Sequence, residues 1–222
     1  MTGVQTCALP ILAGNNTKVN NVQEVKVGKA TAKYPNKKLT VMVYSDADNN
    51  LEQSLLEDIQ EMKLGYIDDL DLNVIVLVDR TADYSDDATI LGEDFSDARM
   101  YKIKNHKVVR IEGGKDFPEI TKTSKYEANM GDAQTLKKFI DSCKANYPAD
   151  KYELIMSNHG GGVRDDKSVQ EAKNPKAVCW DDTNDEDCLY TGEISDVLTN
   201  EESVNVLAYD ACLMGEIGRA HV

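Results

Sequence analysis

A histidine and a cysteine that each follow a buried-strand pattern carry the clearest chemistry in this sequence. His159 comes after the apolar run Tyr152–Ser157, and Cys212 comes after the run Val204–Tyr209. A cysteine attacks a carbonyl carbon as its thiolate, and a nearby histidine is the usual base that removes the thiol proton. Adjacent parallel strands lie about 5 Å apart, and their carboxyl ends share one edge of a sheet. We therefore expect His159 and Cys212 to meet there as the base and the nucleophile of one site.

The residues beside this pair could supply the hydrogen-bond donors that a developing oxyanion needs. The glycines at 160–162 leave the backbone next to the histidine unobstructed, so a substrate can approach it closely. We predict that the backbone N–H groups of Gly160 and Cys212 are these donors. His106 is a weaker candidate for the base, because it lies in a predicted two-residue turn far from the strand ends.

The hydrophobic patterns along the chain alternate between strands and helices. Short, nearly all-apolar runs are typical of strands buried on both faces of a parallel sheet, and longer stretches have apolar residues at helical spacing. This alternation predicts an α/β sandwich with a mostly parallel sheet, whose ligands bind beyond the carboxyl ends of the strands. The predicted strands are Leu39–Tyr44, Leu72–Val78, Tyr152–Ser157 and Val204–Tyr209, with a hairpin of Arg99–Lys104 and Lys107–Glu112; the predicted helices are Leu51–Gly65, Asp132–Tyr147 and Thr191–Leu198.

Acidic residues follow the first predicted strand, and their chemistry allows two interpretations. Asp46 and Asp48 carry the oxygen ligands that calcium prefers, although the segment lacks the glycine and the distal glutamate of an EF-hand loop. The alternative is a turn that caps the next helix. A second acidic segment, Trp180–Asp187, is predicted to be a solvated loop, with cation binding as the alternative. Cys179 and Cys188 flank it, and their positions permit a disulfide.

The charge balance narrows the classes of partner. The chain has 25 Lys and Arg residues against 39 Asp and Glu residues, a formal net charge of −14. This argues against binding to nucleic acid or to anionic membrane surfaces, both of which favour a basic face. The sequence contains no apolar run long enough to span a membrane and no Cys-x-x-Cys pair typical of zinc sites. The negative charge favours binding of a cationic partner or substrate, although many proteins are acidic only because charge keeps them soluble.

The two ends of the chain do not have the character of natural protein sequence. Residues 1–11 (MTGVQTCALPI) and 216–222 (EIGRAHV) back-translate into a pair of sequencing adapters. We therefore expect both to be artefacts, with the natural termini missing, and exclude them from the fold. Residues 12–38 are polar and lack periodicity, which predicts an arm or linker outside the folded domain.

Three short segments occur in a characteristic order along the chain. They are VMVYSDADNNLE at 41–52, NHGGG at 158–162 and DACLM at 210–214. Together they resemble the signatures of the clostripain-type cysteine peptidases, peptidase family C11. The resemblance implies that 39–215 is the N-terminal part of a peptidase domain, a caspase-like α/β/α sandwich truncated at its C-terminus. It also implies an endopeptidase that cleaves after Arg or Lys, with His159 and Cys212 as the catalytic pair.

The resemblance further implies how the substrate is bound and how the enzyme matures. Asp210 matches the acidic group with which family members hold a basic P1 side chain, and a carboxylate suits this role through charge-assisted hydrogen bonds. The alternative for Asp210 is a turn residue at a strand end. Family members often cleave themselves between the two motifs, where Lys173 and Lys176 are the candidate sites. The alternative for that segment is a simple solvated loop.

Cofactor, location and substrate are also implied by the resemblance. The chemistry requires no cofactor, although some family members depend on calcium. The expected substrates are peptides or proteins with basic P1 residues, and the expected location is outside a bacterial cell or in its envelope. A different class of function is a catalytically silent, secreted calcium-binding or adhesive module, which would show no thiol-specific labelling of Cys212. An inactive, poorly folding piece of the enzyme is a further alternative.

Overall fold

The computed structural model describes residues 37–67, 71–161, 177–212 and 214. All of them lie in one compact unit of the chain, Asn36–Val222. The adapter-like ends, the arm before Lys37, and the predicted processing residues Lys173 and Lys176 lie outside the described residues.

The described residues contain strands, α-helices and one short 3-10 turn, Asn200–Glu202. The helices are α1 (Glu52–Gly65), α2 (Ala133–Asn146) and α3 (Thr191–Val197). The strands are β1 (Lys37–Ala47), β2 (Leu72–Arg80), β3 (Ala98–Lys104), β4 (Lys107–Ile111), β5 (Ala149–Ser157), β6 (Ala177–Asp181), β7 (Asp187–Tyr190) and β8 (Val206–Asp210).

Six of the strands form one sheet in the order β4-β3-β2-β1-β5-β8. The strands β2, β1, β5 and β8 run parallel to one another, whereas β3 and β4 form an antiparallel hairpin beside β2. The predicted α/β fold with a mostly parallel sheet is therefore confirmed. A separate two-stranded hairpin is formed by β6 and β7.

Side chains alternate along β1 between two apolar cores. Met42 and Tyr44 belong to the core that α2 and α3 cover, together with Leu154 of β5. Val43 and Ala47 belong to the opposite core, where α1 packs. Because both faces of β1 are buried against helices, its middle part, Val41–Tyr44, is continuously apolar instead of alternating. These layers form the predicted α/β/α sandwich.

The residues of one predicted turn determine the β3–β4 hairpin, whereas β1 and the β6–β7 hairpin differ from the prediction. Asn105 and His106 have φ of 52° and 57°, which a tight two-residue turn between twisted strands requires, and the predicted β3–β4 hairpin is confirmed. The strand β1 begins at Lys37 and runs on to Ala47, so Asp46 lies in the strand instead of in a turn. The β6–β7 hairpin was not predicted, because strands of five and four residues are too short to show a clear period.

A buried ion pair joins β2 to the start of α1. Arg80 and Glu52 are both 0% exposed, and Arg80 Nε donates to Glu52 Oε1 at 2.7 Å. The guanidinium also donates to the carbonyl oxygens of Ser85 and Asp87, at 3.2 and 3.1 Å, and lies 4.8 Å from the Phe95 ring centre. A buried charge is tolerated when it is paired and hydrogen-bonded in this way. The pair therefore anchors the first turn of α1.

Replacing Arg80 with Ala should strongly destabilise the protein, because it leaves the Glu52 carboxylate buried without its partner. We expect a loss of about 3–5 kcal/mol in the free energy of unfolding, measured by urea denaturation. Lys37→Ala is the matched control, since it removes the exposed Lys37–Asp71 pair at 3.3 Å and should change stability by less than about 1 kcal/mol. Equal losses in the two variants would contradict the anchoring role of Arg80.

Candidate active site

The ends of β5 and β8 place the histidine and cysteine segments side by side. The two strands are parallel neighbours, and their last residues, Ser157 and Asp210, are partners in register. Just beyond them, the Asn158 N–H donates to the carbonyl oxygen of Asp210 at 3.3 Å. His159 and Cys212 each lie two residues past these paired positions. The structure thus brings both predicted site residues to the same edge of the sheet.

Gly160 lies directly against the cysteine segment. A Cβ atom at this position would be 2.5 Å from the carbonyl oxygen of Cys212 and 2.7 Å from Cγ of Met214. Such distances are too short for a real side chain, so glycine is required for the two backbones to approach this closely. The predicted oxyanion donors, the N–H groups of Gly160 and Cys212, belong to these two touching segments.

The ring of His159 is held by the loop that follows β1. The ring is half-buried, and its Nε2 lies 2.6 Å from Oδ1 of Asn50. In the tautomer that carries its proton on Nε2, the ring donates this hydrogen bond to the amide oxygen, and Nδ1 is the basic nitrogen. Burial lowers the pKa of His159, and the charge of Asp182 offsets that shift only in part. The imidazole is therefore neutral near pH 7, as a base must be.

A hydrogen-bond network lies beside His159 and joins three elements. Asn158 Nδ2 donates to the carbonyl oxygen of Asp46 at 2.9 Å and to its carboxylate at 2.5 Å. The same amide donates to the carbonyl oxygen of Trp180 at 3.2 Å, and Asn49 Nδ2 donates to that oxygen at 3.0 Å. The ends of β1 and β5 are therefore tied to β6.

Cys212 differs from the other described cysteines. It is exposed, whereas Cys143, Cys179 and Cys188 are buried. Burial raises the pKa of Cys143 and Cys179 well above the usual thiol value and that of Cys188 to about 11. None of these four cysteines forms a disulfide, so the disulfide that the sequence permits between Cys179 and Cys188 is not formed. A nucleophilic thiol must be accessible to substrate and able to ionise. The three buried thiols meet neither requirement.

A second carboxylate lies near Asp210, which is exposed at the end of β8. Burial, followed by the charges of Asp210, Glu61 and Glu57, raises the pKa of Asp58 on α1 to about 6. A cation bound beside Asp58 and Asp210 would relieve their mutual repulsion. The role of Asp58 has no signal in the sequence, because its position on a predicted helix does not reveal which strand end it faces.

Three carboxylates converge close to the hydrogen-bond network. One oxygen from each of Asp48, Glu127 and Asp181 lies within 4.8 Å of the others, as metal ligands do. Burial is the main cause that raises the pKa of Asp181 to about 6 and that of Glu127 to about 7. Asp48, a predicted calcium ligand, belongs to this group. Asp46, the other predicted ligand, directs a carboxylate oxygen to Asn158 instead.

The segment Trp180–Asp187 is only in part the solvated loop that its composition predicted. It contains the turn of the β6–β7 hairpin, and Asp181 is 0% exposed. The Asp181 carboxylate accepts a hydrogen bond from the Met130 N–H at 2.8 Å, whereas Asp182 and the acidic residues 185–187 are exposed. The prediction was wrong for Asp181 because residues far away in the sequence create its burial.

Comparison with known proteins identifies the family. The model of the Clostripain family matches residues 43–219. The chain belongs to the clostripain family, peptidase family C11. Clostripain from Hathewaya histolytica is 57% identical over 217 residues, which cover 93% of this chain and 40% of that protein.

A solved structure of a C11 peptidase has the same fold. It is a secreted C11 cysteine protease from Bacteroides thetaiotaomicron in complex with an irreversible peptide inhibitor, 20% identical to this chain with a TM-score of 0.53. The match covers 80% of this chain and 43% of that chain, and it confirms the caspase-like α/β architecture. The chain thus spans about two fifths of the length of these relatives. Membership of the clostripain family does not favour the silent-module alternative.

Within the described residues of this C11 chain, no helix combines the length and the apolar character that crossing a bilayer requires.

Alkylation of the native protein should distinguish Cys212 from the buried cysteines. We expect iodoacetamide to modify Cys212 at least about tenfold faster than Cys143, Cys179 or Cys188, because the thiolate is the reacting species. Peptide mapping by mass spectrometry would measure the rate at each position, and His159→Ala should slow the reaction at Cys212 alone. Equal rates at all four cysteines would contradict the described exposures.

Proposed function

We propose that the protein is a cysteine endopeptidase that cleaves peptide bonds after Arg or Lys. The observation that carries this proposal is the contact between the two motifs, in which Gly160 lies against the carbonyl oxygen of Cys212 at the ends of paired strands. Family membership and the orientation of His159 support it. The match covers 40% of the length of clostripain. The proposed peptidase activity is therefore that of a longer polypeptide that contains these residues.

In the proposed reaction, His159 takes the proton of the Cys212 thiol, and the thiolate attacks the carbonyl carbon of the scissile bond. The N–H groups of Gly160 and Cys212 stabilise the oxyanion of the tetrahedral intermediate. His159 then donates its proton to the leaving amine, and a thioester forms on Cys212. Water, deprotonated by His159, hydrolyses this thioester and restores the thiol. Asn50 positions the imidazole through the hydrogen bond to Nε2.

Specificity for a basic P1 residue is the finer part of the proposal. Asp210 stands two residues before the nucleophile, and the charged groups that shift the pKa of Asp58 are all acidic. A guanidinium or ammonium group beside these carboxylates would form charge-assisted hydrogen bonds. Asp58 is ionised only above a pH of about 6. Binding of basic side chains should therefore weaken as the pH falls through this value.

The location is proposed from the relatives alone. The Bacteroides thetaiotaomicron C11 protease is described as secreted, and this protein is proposed to act outside a bacterial cell or in its envelope.

The test of the activity uses the natural full-length polypeptide that carries these residues. It should cleave fluorogenic peptides with Arg or Lys at P1, and Cys212→Ala should abolish cleavage. Asp210→Asn and Asp58→Asn should each reduce kcat/KM for these peptides about 10- to 100-fold, since a hydrogen bond to a charged group contributes roughly 1.5–3 kcal/mol.

Peptides with Leu at P1 and the variant Asp150→Asn are the matched controls. Asp150 is exposed near the start of β5, at the end of the strand opposite to His159, so its replacement should leave kcat/KM unchanged. Retained cleavage by Cys212→Ala would refute the proposed mechanism. An equal loss for the Arg and Leu peptides in the Asp variants would refute the proposed specificity.

Self-processing between the two motifs is the second part of the proposal. The candidate sites Lys173 and Lys176 lie outside the described residues, but the flanks of their segment are described. The Gly161 N–H donates to the carbonyl oxygen of Ala177 at 2.9 Å, and Gly160 bridges to Val178. Cleavage between these flanks would leave both of them attached by hydrogen bonds beside His159.

We expect the active polypeptide to separate into two pieces on a denaturing gel, with a new N-terminus at Asn174 or Ala177. The double variant Lys173→Ala, Lys176→Ala should remain intact, as should Cys212→Ala. N-terminal sequencing identifies the cleaved bond. The same cut in purified Cys212→Ala protein would exclude self-processing.

A further inference from the structure

The order of the strands determines which loops lie on each side of the proposed catalytic pair. Cys212 follows β8, His159 follows β5, and the next two strands along the sheet are β1 and β2. Because these four strands are parallel, the loops after β1 and β2 start at the same edge, on the side of His159 away from Cys212. Asn50, from the loop after β1, contacts the His159 ring there.

The proposed reaction directs the leaving part of the substrate to this side. The scissile carbonyl carbon becomes bonded to Cys212, whereas the leaving nitrogen must come within about 3 Å of the imidazole of His159 to receive its proton. The P1 residue therefore lies on the Cys212 side, near Asp210. The residue that follows the scissile bond, P1′, extends over His159 towards the loops after β1 and β2.

Asp182, in the turn of the β6–β7 hairpin, is held in this region by contacts of the residues around it. Its N–H donates to the carbonyl oxygen of Asp48, in the loop after β1, at 2.9 Å. Two residues earlier, the carbonyl oxygen of Trp180 accepts from Asn158, the neighbour of His159, at 3.2 Å. Burial lowers the pKa of His159, and the charge of Asp182 opposes that shift. The carboxylate thus lies within electrostatic reach of the imidazole.

Tyr84, from the loop after β2, orients the Asp182 carboxylate. The Tyr84 hydroxyl donates to Asp182 Oδ2 at 3.1 Å, and both side chains are exposed. An ionised carboxylate can accept several hydrogen bonds, so this one leaves Oδ1 available to a ligand. Within the part of the chain that the structure describes, no lysine or arginine forms an ion pair with Asp182. Its negative charge is therefore oriented but not compensated.

A cavity beside Tyr84 continues this surface. It has a volume of about 540 Å³, and its lining includes Tyr84, Asp83, Asp86 and Asp94 but no lysine or arginine among the described residues. A lysine or arginine side chain can lay its aliphatic part along an aromatic ring and keep its charged end among carboxylates. The cavity therefore leaves room for a long cationic side chain next to Asp182.

We propose that Asp182, oriented by Tyr84, binds a basic P1′ side chain, so that the favoured substrates carry Arg or Lys on both sides of the scissile bond. This inference rests on the proposed function. Charge-assisted hydrogen bonds to the carboxylate recognise the basic side chain, and the same charge repels an acidic P1′ residue. Because Asp210 holds P1 and Asp182 holds P1′, the two preferences belong to different residues.

The test uses the full-length polypeptide and three peptides that share Arg at P1 and carry Arg, Ala or Glu at P1′. An exposed ion pair changes binding by up to roughly fivefold, and an acidic P1′ residue reverses the sign of the effect. We expect kcat/KM to be about 5- to 30-fold higher with Arg than with Glu at P1′, with Ala between them. Mass spectrometry of the products identifies the cleaved bond. The ratio should shrink in 1 M salt, where charges are screened within about 3 Å.

Asp182→Asn removes the charge and keeps the size of the side chain. It should lower kcat/KM for the Arg peptide about fivefold, raise it for the Glu peptide by a similar factor and leave the Ala peptide within about twofold. Changes in opposite directions cannot come from a general loss of structure. Tyr84→Phe should reduce the discrimination in the same sense, because the carboxylate loses the donor that orients it.

Asp185→Asn is the matched control, because Asp185 is an exposed acid in the same turn. Its φ of 59° is a conformation that Asn also adopts, and the variant should leave the ratios among the three peptides unchanged. Equal cleavage of the three peptides, or the same shift in Asp185→Asn, would overturn this inference and leave the proposed function standing. No cleavage of any peptide would overturn both.

Discussion

The in-register parallel pairing of β5 with β8 is the constraint on which the candidate site depends. Ser157 and Asp210 are partners, so the residues that follow them leave the sheet at the same level. Successive side chains of a strand point to opposite faces, and a slip of one residue would move the whole cysteine segment to the other face. The backbone ladder therefore determines whether a thiol and an imidazole can act on one carbonyl group.

Polar side chains at the carboxyl ends of β1 and β5 stabilise the fold in addition to surrounding the catalytic residues. A sheet that ends beneath loops leaves backbone groups that need partners, and the amides of Asn49 and Asn158 supply donors to the carbonyl oxygens of Asp46 and Trp180. These amides are almost completely buried. These hydrogen bonds therefore fix the loops at the site and the residue next to His159.

The parts of the fold that could be predicted from the sequence are those determined by local pattern. The all-apolar strands and the turn at Asn105 and His106 are examples, since burial on both faces and positive φ each leave a local signature. The roles of Asp58, Glu127 and Asp181 could not be predicted in this way. Each depends on a neighbour contributed by a remote segment, and an acidic residue in isolation is most often solvated.

The hydrogen bond between Gly161 and Ala177 has a consequence for how this architecture can vary. It joins Gly161, two residues after His159, to the first residue of β6. The free energy of closing a chain segment rises only slowly with its length, by roughly 0.6 kcal/mol for each doubling. Insertions or deletions between these two anchored residues in homologous proteins should therefore have little effect on the sheet edge.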